Sequence, residues 1–412
     1  MIDQKLTRSK IVQRFLDMFE SPLWAAVMAA VVYAIFALYK GSLWSETSTN
    51  YFSYLADAFL HGQLYLRLMP PNTHDLVYFQ NHYYLYWPPL PARLLMPLVA
   101  MFGVHVSDVL VVLVIGATNV AIVAQVLRKA DERGIVSLDK NRRALIVLFF
   151  AFGSVLFPLA PLGGVWAMGQ FVGFLFGGLA YLAVLTFRGW KAFFLTGLAL
   201  GLALLARNHI FLIGIWPAYF LLTTHWNGGF KKIIFLALLA LIPVIFAEGC
   251  YLSYNYVRFD NPMQLGLDYH EMAPLFLSDY KKYGAFNLHY LPVNFYYQYI
   301  YYPFPWQLDS FMGGSLFLLS PILFTAFAGI AIGKPRVSVL FLCIAILMTS
   351  IPILLLMGTG WVQFGPRYTL DFTMPLILLV GIGIKKWRLS TIALLVGISC
   401  IHYLAGTIIM LQ

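Results

Sequence analysis

The chain has 412 residues, of which 61% are hydrophobic and only 11% are charged, against roughly 25% charged residues in a typical soluble domain. This composition excludes a water-soluble fold. The net charge of +10 comes from basic residues scattered between long apolar runs. Without the basic stripe that nucleic-acid binding requires, nucleic acid is not an expected partner.

The cysteines and the first residues exclude two further classes. Cys250, Cys343 and Cys400 lie in apolar stretches without a CxxC pair, so we expect neither a disulfide framework nor a structural zinc site. The first 20 residues carry four basic and three acidic side chains. A signal peptide does not usually begin with so many charged residues. We therefore expect the first apolar run to be retained in the mature protein.

Apolar runs predict an all-α membrane protein. A helix needs about 20 apolar residues to cross the hydrocarbon core. Eleven spans are predicted, at about 22–39, 106–127, 144–161, 164–187, 192–206, 209–224, 233–255, 313–332, 337–357, 367–384 and 389–411. The 192–206 and 209–224 runs are short and are separated by Arg207, Asn208 and His209, so they form either a tight hairpin or a pair of half-spans.

The distribution of charge predicts the orientation. With eleven spans, 19 of the 27 Lys and Arg residues share the side of the N-terminus, together with only six of the 17 acids. Because loops that stay in the cytoplasm retain positive charge, we expect a cytoplasmic N-terminus and an outward C-terminus, most simply in the plasma membrane. Chain 1–412 then forms a single multi-pass domain.

Two long loops, at about 40–105 and 256–312, lie on the outer side in this arrangement, where chemistry is expected. The apolar segment from Pro88 to Phe102 is too short to span and is expected to be an interfacial or re-entrant helix. Residues 295–306 are dense in tyrosine, either as part of the interfacial belt or as a surface that stacks on sugars.

The first outer loop contains three acids, Glu46, Asp57 and Asp75. From Tyr51 to Leu60 the apolar positions recur at helical spacing, which predicts an interfacial helix with Asp57 on its polar side. Asp57 then faces either an aqueous cavity or simply bulk solvent.

Four segments carry a family resemblance. They are YLADAFLHGQLYL at 54–66, HDLVYFQNHYYLYWPPLPARLLMP at 74–97, NYVRFDNP at 255–262 and FGPRYTLDF at 364–372. With the layout of spans, these segments resemble the polyprenyl-phosphate-sugar-dependent glycosyltransferases of the GT-C superfamily. The Asp-Glu pair that many relatives carry after the first span has no clear match in residues 45–50. The catalytic acid is therefore left open among Glu46, Asp57 and Asp75.

The resemblance implies a GT-C-like bundle and a transfer reaction. A carboxylate takes the proton of an acceptor hydroxyl, and cations stabilise the departing phosphate. Arg207, Arg258 and Arg367 stand at predicted outer ends of apolar runs and are the candidate phosphate ligands, with anchoring to lipid head groups as the alternative role. Asp371, one turn after Arg367, would either orient it as an i,i+4 partner or simply stabilise the helix end. Tyr368 and His209 are expected to support the same site.

The predicted function is transfer of a sugar, as a hexosyl- or pentosyltransferase, from a polyprenyl-phosphate donor to a glycan, lipid or protein acceptor on the non-cytoplasmic face, with inversion. No metal ligand set is predicted. A divalent metal would need tertiary contacts of the outer-loop histidines, His61, His74, His82, His270 and His289.

The rival functions are a secondary transporter or lipid-linked sugar flippase, which predicts a polar path at mid-membrane, and a non-catalytic scaffold. An enzyme instead requires Asp57 or Asp75 to share one chamber with Arg207, Arg258 or Arg367.

Overall fold

The computed structural model describes residues 10–226, 229–272, 274–358 and 360–412, and in them the fold is all-α with two minimal sheets. The first nine α-helices are α1 Lys10–Glu20, α2 Pro22–Tyr39, α3 Tyr51–Leu60, α4 Leu90–Phe102, α5 Asp108–Glu132, α6 Lys140–Phe152, α7 Leu156–Leu159, α8 Gly164–Thr186 and α9 Gly189–Ala206. The next nine are α10 Ile215–His225, α11 Phe230–Phe259, α12 Pro274–Tyr283, α13 Leu291–Phe295, α14 Leu316–Leu319, α15 Thr325–Ile332, α16 Arg336–Leu355, α17 Thr373–Gly383 and α18 Leu389–Leu411.

Short segments join these helices. Single 3₁₀ turns are formed by Ile210–Gly214, Leu267–Tyr269, Leu288–Tyr290, Leu308–Phe311, Pro321–Phe324, Arg367–Phe372 and Ile384–Lys386, and a π-helical turn by Tyr296–Ile300. Strands β1 Val77–Phe79 and β2 His82–Tyr84 pair antiparallel, whereas β3 Met312–Gly313 and β4 Gln363–Phe364 pair parallel.

Within the described residues, eight helical segments are long and apolar enough to cross a membrane, and all eight correspond to predicted spans. The other three predicted spans are shorter or interrupted. The 144–161 run is broken between α6 and α7, where the Ser154 hydroxyl bonds the Phe150 carbonyl and accepts from the Leu156 amide. The 209–224 run gives Ile210–His225, and the 313–332 run gives Pro321–Ile332 after α14.

The basic turns gather at one end of the bundle, called the basic end here. Arg143 pairs with Glu20 and with Asp131, each at 2.7 Å, and Arg142 donates to the Trp387 carbonyl at 2.6 Å. Helix α5 runs from the opposite end, called the site end, to this one. Lys5 and Arg8, which the charge count also places here, lie outside the described residues.

Close packing of α9 on α11 depends on glycine. A Cβ on Gly197 would collide with the Ala240 carbonyl, and one on Gly201 would lie 2.8 Å from the Pro243 carbonyl oxygen. The two helices therefore approach to backbone contact, as small residues permit in membrane bundles. On the outer surface of α11, Gly249 meets nothing within 4 Å.

The two long loops, at about 40–105 and 256–312, are joined by main-chain hydrogen bonds. The Asp75 amide donates to the Glu271 carbonyl at 3.2 Å, the Glu271 amide donates to the Leu76 carbonyl at 2.9 Å, and Val77 bridges His270. Segments almost 200 residues apart in the chain thus form one layer over the site end. The predicted short helix after Pro88 is present as α4.

Candidate functional site

Arg367 lies at the centre of the site end. Gly365, with φ of +73°, turns the chain from β4 into the Arg367–Phe372 turn at a point where a Cβ would lie 2.9 Å from the Tyr403 hydroxyl. The amide of Gln170 on α8 donates to the Arg367 carbonyl at 3.0 Å. The start of the Arg367–Phe372 turn is therefore fixed in two ways. Gly365 adopts a backbone conformation that favours glycine, and the Gln170 side chain donates a hydrogen bond to the backbone.

The Arg367 guanidinium is buried between aromatic rings and is incompletely paired. The residue is 7% exposed, and its guanidinium carbon lies 5.0 Å from the Tyr368 ring centroid and 5.5 Å from that of Trp166. One Nη donates to the Tyr368 hydroxyl at 3.3 Å, but Nε is buried and has no hydrogen-bond partner within the described residues. Because the guanidinium is buried and its Nε has no hydrogen-bond partner among those residues, the site favours binding of an anion.

Asp75 lies at the indole N–H edge of Trp166. Its Oδ2 accepts from the Trp166 indole nitrogen at 3.1 Å, and its Oδ1 lies 3.1 Å from Nε2 of His270. The side chain is 26% exposed, and the backbone adopts a positive φ of 68°, a conformation that Asp tolerates better than most residues. The carboxylate is thus held by two partners and still partly open.

The Tyr86 hydroxyl lies within electrostatic reach of these charged groups. Burial raises the pKa of Tyr86 well above its ordinary value, and the Asp75 carboxylate raises it further. Arg367 and Arg207 act in the opposite direction on the same hydroxyl. One acid from the first loop and two arginines from distant segments therefore act electrostatically on a single point.

Arg207, His209 and Asp371 form a buried cluster beside Tyr368. Asp371 Oδ2 accepts from Arg207 Nε at 2.6 Å and lies 2.8 Å from His209 Nε2. The Arg207 guanidinium carbon is 5.2 Å from the Tyr368 ring centroid, so this ring contacts both arginines.

The expected pairing of Asp371 with Arg367 is wrong. Residues 367–372 form a 3₁₀ turn, in which positions i and i+3 rather than i and i+4 share a face. Asp371 is consequently turned towards Arg207 and His209, and it holds Arg207 instead of Arg367.

Asp57 has a different setting from the expected one. Helix α3 is buried from Tyr51 to Phe59 rather than amphipathic, and Asp57 is itself 7% exposed. Its carboxylate is paired bidentately with Arg67, with both N–O distances 3.0 Å, while His61 lies 3.5 Å away. The geometry favours a structural ion pair.

Glu46 lies next to a structural junction. Its Oε1 is 2.6 Å from His105 Nδ1, while Oε2 is buried without a partner in the described part of the chain. The neighbouring Thr47 bonds the Asp108 carboxylate through its amide at 2.8 Å and its hydroxyl at 2.6 Å, and Asp108 also accepts from the Gly164 amide. This junction fastens the first loop to the starts of α5 and α8.

Arg258, a third candidate phosphate ligand, is occupied by protein groups. It is 2% exposed and donates to the Leu85 carbonyl at 2.6 Å and to the Asn255 side chain at 2.7 Å, with a further bond to the Tyr254 carbonyl. The Tyr254 ring centroid lies 3.7 Å from its guanidinium carbon. Arg258 therefore clamps the end of α11 to the first loop.

The structure brings Asp75, Arg367, Tyr368, Arg207, Asp371 and His209 together and leaves Asp57, Glu46 and Arg258 in separate contacts. The sequence analysis does not name Trp166 or Tyr86 as site residues, and it names His270 only among the histidines that a divalent metal would need. Among the described residues, no group of three His, Cys, Asp or Glu side chains is placed to hold a metal ion.

No protein-family model matches the sequence, and a comparison with curated proteins gives no significant match. Among solved structures, the chain is similar to ArnT from Cupriavidus metallidurans bound to undecaprenyl phosphate, with 13% identity, a TM-score of 0.49, and coverage of 87% of this chain and 60% of that chain. It is also similar to the apo oligosaccharyltransferase of Archaeoglobus fulgidus, with 15% identity, a TM-score of 0.48, and coverage of 95% and 55%.

Both neighbours are glycosyltransferases of the GT-C superfamily, which the sequence motifs resemble. The present chain spans three fifths or less of the length of either neighbour.

Proposed function

We propose that this protein is an integral membrane glycosyltransferase of the GT-C type, which moves a sugar from a polyprenyl-phosphate donor to an acceptor hydroxyl. The observation that carries the proposal is the pair of contacts on Trp166. Its ring faces the incompletely paired Arg367 guanidinium, and its indole nitrogen donates to the Asp75 carboxylate. A cation over the ring face and a carboxylate at the N–H edge thus contact one aromatic side chain.

Arg367 is the main phosphate ligand in this proposal. Burying a guanidinium whose Nε has no hydrogen-bond partner costs free energy unless an anion binds to it. The planar guanidinium can donate two parallel hydrogen bonds to two phosphate oxygens. Arg207 supplies a second cation, part of whose charge is balanced by Asp371. Because this group lies where apolar helices end, the polyprenyl chain of a donor can stay in the bilayer while its phosphate enters the site.

Asp75 is the general base. The acceptor oxygen attacks the anomeric carbon, its proton passes to the Asp75 carboxylate, and the bond between the anomeric carbon and the phosphate oxygen breaks with its electron pair leaving on the phosphate. Arg367 and Arg207 stabilise the charge that develops on that phosphate. A one-step displacement of this kind inverts the anomeric configuration.

The site is assigned to the non-cytoplasmic face of the plasma membrane. The basic end, with Arg142 and Arg143, lies opposite the end that holds Arg367, since α5 and α8 run from one to the other. Positive charge is retained in the cytoplasm, so the N-terminus is inside and the site outside.

Transfer of labelled sugar by purified protein tests the proposal. A panel of synthetic polyprenyl-phosphate hexoses and pentoses is offered with glycan, lipid and peptide acceptors. Asp75→Asn is expected to lower kcat by about 100-fold or more while donor binding persists, because a general base contributes about 10²- to 10⁴-fold. Arg367→Ala is expected to weaken donor binding.

Matched controls are Asp268→Asn, an exposed acid of the second loop, and Arg188→Ala at the basic end, both expected to transfer at the wild-type rate. Undiminished transfer by Asp75→Asn and Arg367→Ala at equal folded amount would contradict the site. Movement of a bound lipid-linked sugar between leaflets without any transfer would instead support a flippase.

A further inference from the structure

We infer that His270 is the positioning residue of the general base: it donates a hydrogen bond from Nε2 to Asp75 and so fixes the orientation of the carboxylate. The inference rests on the proposed function and adds a residue of the second outer loop to it. Nε2 of His270 lies 3.1 Å from Asp75 Oδ1. The Trp166 indole nitrogen occupies the other oxygen, Oδ2, at the same distance.

The difference in burial between Asp75 and His270 distinguishes the base from the residue that positions it. The His270 side chain is 3% exposed, whereas that of Asp75 is 26% exposed. The carboxylate is open to an acceptor, but the imidazole is enclosed and does not reach the same space. His270 therefore acts through Asp75 and not on the acceptor itself.

The surroundings of His270 define its hydrogen-bonding state. Its Nδ1 is buried and has no hydrogen-bond partner in the described part of the chain. A proton on Nδ1 would be a buried donor without an acceptor, which is unfavourable. The proton is accordingly on Nε2, and the imidazole donates to the carboxylate.

The ring and its backbone are both held. Tyr86 and the imidazole pack in an edge-to-face arrangement, with ring centroids 5.1 Å apart. The His270 backbone bridges Val77, and the following residue, Glu271, exchanges backbone bonds with Asp75 and Leu76. The second loop thus delivers an orienting donor to a base on the first loop, in the way that a triad carboxylate orients its histidine.

Three variants test the hydrogen bond. His270→Leu removes the donor, His270→Gln places an amide nitrogen near the position of Nε2, and His270→Asn places one only near Nδ1. His270→Leu is expected to lower kcat about 10- to 100-fold, the factor that a hydrogen bond to a charged group is generally worth. KM for the donor and equilibrium binding of polyprenyl phosphate should change less than about twofold, because Arg367 is untouched. His270→Gln should recover most of kcat.

The matched control is His289→Leu. His289 belongs to the same loop and lies 3.6 Å from a carboxylate of Asp279, but both side chains are well exposed, at 41% and 58%. Its loss should leave kcat at the wild-type value. If His270→Leu does not fold, the comparison of His270→Gln with His270→Asn decides, with the Gln variant expected to turn over at least about tenfold faster.

An unchanged kcat in His270→Leu, equal kcat in the Gln and Asn variants, or a loss confined to donor binding would overturn the inference while leaving the glycosyltransferase proposal intact. Wild-type protein that transfers no sugar from any donor would overturn both.

Discussion

Arg367 and Asp75 contact the same side chain: the Arg367 guanidinium carbon lies 5.5 Å from the ring centroid of Trp166, and the indole nitrogen of that ring donates to the Asp75 carboxylate at 3.1 Å. The positive and negative groups are therefore fixed relative to one another without bonding each other directly. In the proposed reaction the arginine binds the phosphate and the acid takes the proton of the acceptor.

Replacement of Arg367 by lysine tests whether binding needs the planar guanidinium with its two parallel donors. Lysine keeps the positive charge but offers neither two parallel donors nor the stack between Trp166 and Tyr368. We expect Arg367→Lys to weaken equilibrium binding of polyprenyl phosphate in nanodiscs by about tenfold and Arg367→Ala by about 100-fold, the range for lost hydrogen bonds to a charged group. Arg188→Ala serves as the control. Equal affinity of all the variants would remove Arg367 from the site.

Replacement of Asp371 by asparagine tests the buried cluster. Asp371 has a fully buried side chain and holds Arg207, so its neutralisation leaves that arginine without a counter-charge. We expect a loss of about 3 kcal/mol of stability, seen as a lower Tm of the purified protein. The double variant Asp371→Asn with Arg207→Met should regain part of the loss, since the orphaned charge is gone. A double variant less stable than the single one would show that the pair is not coupled in this way.

Asp57 and Arg67 are expected to act in stability. The bidentate pair joins the Asp57 carboxylate, which is 10% exposed, to the Arg67 guanidinium, which is 38% exposed. Solvent therefore screens the charge of Arg67 more than that of Asp57. Asp57→Asn should cost about 1 to 2 kcal/mol, measured as a fall in Tm, and Arg67→Gln should lower Tm by less. A double-mutant cycle should show coupling between them. If Asp57 were the base instead, Asp57→Asn would lose turnover as deeply as Asp75→Asn does at equal folded amount.

The α9–α11 contact offers a test of the bundle itself. Gly197→Val forces a side chain against the Ala240 carbonyl, whereas Gly249→Val on the outer surface of α11 meets open space. We expect the first change to destabilise the protein by at least about 1 to 3 kcal/mol through overpacking and the second to be nearly neutral. Thermal unfolding of both variants in one detergent provides the measurement. Equal Tm values would mean that α9 and α11 do not approach as closely as described.

Where the prediction from sequence succeeded, the signal was local. Apolar runs such as 22–39 and 389–411 became single helices because a helix satisfies its own backbone hydrogen bonds in lipid, so length and composition suffice to identify it. Where the prediction failed, the orientation of the side chain depended on packing against segments distant in the sequence. Spacing placed Asp57 on a polar face, but packing of other segments buried α3 from Tyr51 to Phe59. Residue counting paired Asp371 with Arg367, but a 3₁₀ turn, which no spacing rule announced, rotated it towards Arg207.

The sequence by itself determined the all-α membrane class, the long apolar helices and the pool of acids and arginines from which a site is made, because these follow from hydropathy and residue type. Only the tertiary structure decided which acid faces which arginine. Asp75, Trp166, His270 and Arg367 come from four distant segments, and their contacts arise from long-range pairing of loops that carries no periodic signature in the chain.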